Sequence, residues 1–125
     1  MKLRQIVDEK FKKTVGKLLD QDMPLKSTLV LKGVVELLNT TIENYETERQ
    51  ALLNQYGQKD ADGKLAVGEN RHVLFDTDNL LAYSKAYNEL CEKEVDVPTL
   101  TAKELGDKVA LSHSDLLNLG GLVTA

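Results

Sequence analysis

The amino-acid sequence predicts a mainly α-helical protein: an antiparallel helical hairpin with one very long helix, a third helix, a small β-hairpin insertion and a tail of short helices. Three observations predict it. Leu31, Val35, Leu38, Ile42, Tyr45, Arg49, Leu52 and Tyr56 step alternately by four and three residues, which places all eight on one helix face. Leucine occurs 22 times in 125 residues, against six aromatic residues and no tryptophan, so aliphatic and helix-favouring side chains must build the core. Asp22-Met23-Pro24 and Gly57 stand where long helices would start and stop.

The first helix is expected over Leu3 to Leu19, where Leu3, Val7, Phe11, Val15 and Leu18 recur at helical spacing and Gly16 is the weak point. Pro24 ends the connection and suits the first turn of the next helix, where its missing N–H costs nothing. The second helix then runs from about Leu25 to about Tyr56, on the order of 45 Å. Its far half, from Asn44, outruns the first helix and needs either the third helix or a neighbouring subunit to cover it. The third helix falls between about Asp78 and Glu94, with Leu80, Tyr83, Tyr87 and Leu90 on one face and Asp76, Thr77 or Asp78 as cap.

Between these helices, Asp62-Gly63 signals a turn, and Leu65, Val67, Val73 and Phe75 alternate within two short runs. A β-hairpin is therefore expected within about 58–75, and Val95 to Val97 forms a third extended piece able to pair with it. In the tail, Thr101 with Glu104 and Ser112 with Asp115 are capping-box pairs, each opening a short helix. Leu100, Leu105, Val109, Leu111 and Leu122 look like pegs that anchor this tail to the core or to a neighbour. The expected division is a three-helix unit over 1–98 and a tail over 99–125.

The net charge is −4, yet residues 1–17 are locally +4. That basic segment reads either as an arm for nucleic acid or as the solvated face of an amphipathic helix. Its acidic interruptions at Asp8 and Glu9 favour the second reading. Cys91 is the single cysteine, so neither an internal disulfide nor a four-cysteine zinc site can form, and a reducing setting is expected. No apolar N-terminal segment precedes a small-residue cleavage site. The most apolar stretch, Leu25 to Leu38, is broken by Lys26, Lys32 and Glu36, short of the roughly 20 apolar residues that span a bilayer. The expected location is the virion or the host cytoplasm.

One segment overlays a calcium loop. From Gln58, the third and fifth places hold Asp60 and Asp62, the sixth Gly63 and the twelfth Glu69. Gln58 removes the first carboxylate, and Gly68 is a poor start for an exiting helix, so an ordinary Asp-Gly turn competes with a metal site. Neither His72 nor His113 follows a glutamate by three residues, as a helical-bundle diiron site would require. Cys91 reads as a small buried hydrophobe. No catalytic residue and no cofactor is expected. Contact residues are sought instead at Tyr45, Arg49, Leu52 and Tyr56 on the seam and at Leu116, Leu119 and Leu122 in the tail. Arg49 either fixes register with a partner or snorkels to a nearby acid.

The layout as a whole resembles a family of small uncharacterised proteins encoded in tailed-bacteriophage genomes, usually near virion genes. The likeness lies in the break at Asp22-Met23-Pro24, the helix ending Leu52-Leu53-Asn54-Gln55-Tyr56-Gly57, the segments Lys59 to Lys64 and Glu92 to Pro98, and the two capped turns of the tail. It implies a virion-associated or assembly role, with other virion proteins and further copies of the chain as partners. The expected function is thus a non-enzymatic structural protein. A nucleic-acid-binding regulatory module is the alternative, and a calcium-binding helical module a weaker one. No membrane partner is expected.

Overall fold

The computed structural model describes residues 1–125. Its elements are α1 (Leu3–Ile6), α2 (Glu9–Leu19), α3 (Leu25–Tyr56), α4 (Thr77–Cys91), β1 (Leu100–Thr101), α5 (Ala102–Leu105), α6 (His113–Leu119), a 3-10 turn (Gly120–Leu122) and β2 (Val123–Thr124). The protein is therefore mainly α with minor β, as its sequence predicts. No helix is long and apolar enough to cross a membrane. Contacts gather into two units, one of Met1–Ile42 with Lys93–Ala125, the other of Glu43–Glu92. These bounds differ from a division at residue 98, and α3 contributes to both units.

In the first unit the expected helix over Leu3 to Leu19 is two helices. Asp8 adopts extended backbone angles and its carboxylate accepts the Lys10 N–H at 2.8 Å, capping α2 and ending α1. The intrinsic capping strength of an aspartate outweighs continuity of the apolar stripe, whereas Gly16 is carried through without a break. Val95 does not extend the 58–75 insertion. Its N–H donates to the Met1 carbonyl at 2.8 Å, and Leu3 N–H donates to the Lys93 carbonyl at 2.9 Å, so this segment pairs antiparallel with the chain start.

The tail is part of the core of this unit. Leu100, Leu119 and Leu122 are fully buried alongside Ile6, Leu18, Leu31 and Val34. Strand β1 pairs parallel with β2, Leu100 opposite Val123. Both capping boxes form: Thr101 and Glu104 exchange side-chain-to-backbone bonds, as do Ser112 and Asp115. Polar ties lock the tail down. Gln21 and Ala110 form a reciprocal amide pair at 3.2 Å in each direction. The Ser27 hydroxyl donates to the Glu104 carbonyl, and Lys17 meets Asp115 at 2.5 Å.

In the second unit, the segment after α3 is not a regular hairpin. Single antiparallel bridges join Lys59 to Leu65 and Val67 to Val73. Three backbone bonds close a ring: Ala66 N–H donates to Gln58 O at 2.8 Å, Leu74 N–H to Ala66 O at 3.0 Å, and Gln58 N–H to Leu74 O at 2.8 Å. Two of these bonds join residues eight apart, and the third closes the ring across sixteen. Gly57 sits where these pieces converge, because a Cβ there would fall 2.7 Å from Leu53 O and 2.8 Å from side-chain carbons of Leu65 and Val73. Only glycine permits that approach. Val67 points outward and is exposed, against its place in the expected alternation.

Candidate functional site

The second half of the seam finds its partner on α4. Tyr45 is 7% exposed, and its hydroxyl lies 2.7 Å from that of Tyr87. Tyr87 stacks on Tyr83 at 5.8 Å between ring centroids, and Tyr83 meets Phe75 at 4.9 Å. Spacing of four residues along α4 aligns the two tyrosines. The bond to Tyr45, then burial, then the Cys91 thiol hold the Tyr87 phenol well above its ordinary range, and burial chiefly raises Tyr83. This cluster is packing with satisfied hydroxyls. Tyr45 is thereby removed as a surface contact residue.

Arg49 pairs with the acid one turn earlier. Its Nη2 and Nε lie 3.1 and 3.3 Å from Glu46 Oε2, so the snorkelling reading describes it. Leu52 and Tyr56 are half-buried, while Leu53, off the 3.5-residue seam, is buried. In the tail, Leu119 and Leu122 belong to the core and cannot meet a partner; only Leu116 of the expected trio is exposed.

The Asp60-Gly63 loop is a side-chain-capped turn. Asp60 Oδ1 accepts the N–H groups of Asp62 at 2.8 Å and Lys64 at 3.0 Å, and Gly63 takes φ +78°. After Glu69 the chain turns through Arg71 at φ +61° and runs extended, so no exiting helix brings Glu69 to Asp60 and Asp62. No three His, Cys, Asp or Glu side chains converge anywhere as a metal site requires. His72 and His113 are exposed, and Cys91 is buried.

What remains is apolar surface that the seam did not reveal. Leu25 and Leu29 are 73% and 60% exposed one turn apart on α3; Leu80 and Leu81 are 46% and 67% exposed on α4; Leu116 and Leu117 are 45% and 68% exposed on α6. Leu80, which its spacing places on one face with Tyr83, is exposed instead. Isolated exposed leucines are ordinary, but two on the same stretch of one helix are informative. No common spacing marks them in the sequence, since Leu25 and Leu29 lie four residues apart whereas Leu80-Leu81 and Leu116-Leu117 are adjacent. The first unit also holds a 160 Å³ apolar groove between α2 and α3, floored by Ile6, Phe11, Val15 and Leu38 and bordered by Lys12, Gly16 and Leu19. A wider cleft of 400 Å³ opens between Met23-Pro24 and Gly106 to Lys108, walled by loops.

No protein-family model matches the chain, and comparison with curated proteins and with solved structures returns no match.

Proposed function

We propose that this chain is a non-enzymatic assembly protein that works in several copies through apolar contacts. The observation that supports it best is the set of three exposed leucine pairs, at Leu25/Leu29, Leu80/Leu81 and Leu116/Leu117. These six leucines, 45–73% exposed, each forgo roughly half to three-quarters of the about 1.5–3 kcal/mol that full burial supplies, which a partner surface would recover. The layout's resemblance to tailed-phage proteins points the same way, to a virion or its assembly intermediates as the setting. The seam at Tyr45 to Tyr56 does not carry this reading, because Tyr45 is satisfied by Tyr87 within the chain.

The nucleic-acid alternative draws less support. Lys17 of the basic segment is engaged with Asp115 of the same chain, and Asp8 and Glu9 dilute the segment's charge. Multi-angle light scattering over a hundredfold concentration range tests the proposal. The weight-average mass is expected to rise with concentration and to persist in high salt, as apolar contacts do. A single monomeric mass throughout refutes self-assembly as the mode of action.

A further inference from the structure

We infer that the α2–α3 groove of one copy receives the first two turns of α4 from a second copy, with Leu81 entering the groove. This rests on the multi-copy reading above and gives it a specific contact. The groove is apolar, and its 160 Å³ suits one leucine side chain, since a dry apolar cavity of about 150 Å³ holds a benzene-sized guest.

Gly16 supplies an independent reason. It lies inside α2 with no left-handed backbone angle, and a Cβ built there meets no atom within 4 Å. Glycine inside a helix costs roughly 0.5–1 kcal/mol relative to alanine. The fold of the single chain therefore gives no cause for glycine at this position. An open groove mouth does.

The matching projection is the start of α4. Every residue from Asp76 to Leu81 is exposed, so two leucines stand out with Asp76 and Asp78 beside them. Charge favours the pairing. Residues 43–92 hold ten acids against five bases and Asp78 stands one turn before Leu81, whereas the one charged residue lining the groove is Lys12. Glu9 is the acid nearest Lys12, at 3.5 Å, in an exposed pair that an incoming carboxylate can replace at little cost. The partial positive charge of about +0.5 at the start of α4 opposes the approach, but two aspartates outweigh it. Asp76 keeps its bond from Gln58 Nε2 at 2.7 Å and contributes through its field.

The contact joins two different surfaces, so it is head-to-tail and propagates from copy to copy. That makes it separable from any self-matching dimer. Two variants are compared by sedimentation velocity: Gly16→Leu, which closes the groove, and Leu80→Asp/Leu81→Asp, which removes the projection. Circular dichroism confirms that each folds; the substituted positions are exposed and Gly16 has open space. Lys12→Glu serves as a second groove variant that leaves the helix intact. The expected result is that wild type forms a series of oligomers, each variant alone is monomeric, and a 1:1 mixture of the two folded variants gives a dimer and nothing larger. Wild-type association that persists in both variants overturns this contact while leaving multi-copy assembly standing. Monomeric variants that fail to complement one another overturn it equally. A wild type that never associates overturns both.

Discussion

The hydroxyl oxygens of Tyr45 on α3 and Tyr87 on α4 lie 2.7 Å apart. The two partners are not equivalent, since Tyr45 is buried and Tyr87 is only half-buried. Removing the Tyr87 hydroxyl leaves a buried donor without its partner, at a cost of about 1–3 kcal/mol. Removing the Tyr45 hydroxyl leaves a group that water can reach, at a cost of about 0.5–1.5 kcal/mol. Urea denaturation should therefore rank Tyr87→Phe below Tyr45→Phe, with both below wild type. The reverse order would show that the Tyr45 hydroxyl is solvated.

The same cluster sets the response to alkali. The folded state raises Tyr87 and Tyr83 above their ordinary value of 10.0. Above that pH the unfolded chain releases phenolic protons that the folded chain retains. Stability from this source is thus complete below about pH 10 and declines as pH rises further. Thermal midpoints measured from pH 8 to 11.5 should fall most steeply above pH 10, and Tyr87→Phe should flatten that fall. An equally steep fall in Tyr87→Phe would remove the cluster as its cause.

At the acid end, Asp115 plays the opposite part. The bond from Lys17, aided by the Ser112 N–H, lowers its pKa below the ordinary 3.8. Its contribution is present above that value and is lost as pH falls through the folded pKa. Lys17→Met should therefore lower the midpoint at pH 6 but converge with wild type near pH 2. Ser112→Ala, which removes the cap of α6, should cost about 1 kcal/mol, and somewhat more at pH 6 than at pH 2 because the Ser112 hydroxyl also helps lower the Asp115 pKa.

Two glycines should respond oppositely to alanine. Gly57→Ala forces a methyl against Leu53 O, Leu65 and Val73, an overpacking that costs on the order of 1–3 kcal/mol. Gly16→Ala meets nothing and should stabilise α2 by about 0.5–1 kcal/mol. Chemical denaturation of the pair reads this directly. A destabilised Gly16→Ala would mean that α2 is crowded there.

The long helix and both tail caps were legible because each depends on local signals: periodic leucines, Pro24, Gly57, and the Thr101–Glu104 and Ser112–Asp115 pairs. The α1–α2 break was not, since Asp8 interrupts an apolar pattern that otherwise continues across it. The ring through Gln58, Ala66 and Leu74 leaves no local signal, because its bonds join residues eight and sixteen apart rather than across one turn. The tail leucines misled for a different reason. Hydrophobic spacing says that Leu119 and Leu122 are buried somewhere, but not whether the same chain or another buries them. Likewise the 3.5-residue seam located a contact at Tyr45 without revealing that Tyr87 completes it. The exposed pairs could be identified only once burial was known.

The proposed contact between copies joins the α2–α3 groove to the start of α4 and leaves the far half of the seam uncovered. Amide hydrogen exchange followed at low and high protein concentration tests it most directly. The N–H groups of Thr77 to Asn79 open α4 and lack acceptors within their own helix, so they exchange quickly unless something covers them. Slower exchange is expected at high concentration over residues 76–81 and along the groove-lining parts of α2 and α3, with Tyr45 to Tyr56 unchanged. Slowing confined to Tyr45–Tyr56, or none at any concentration, would contradict it.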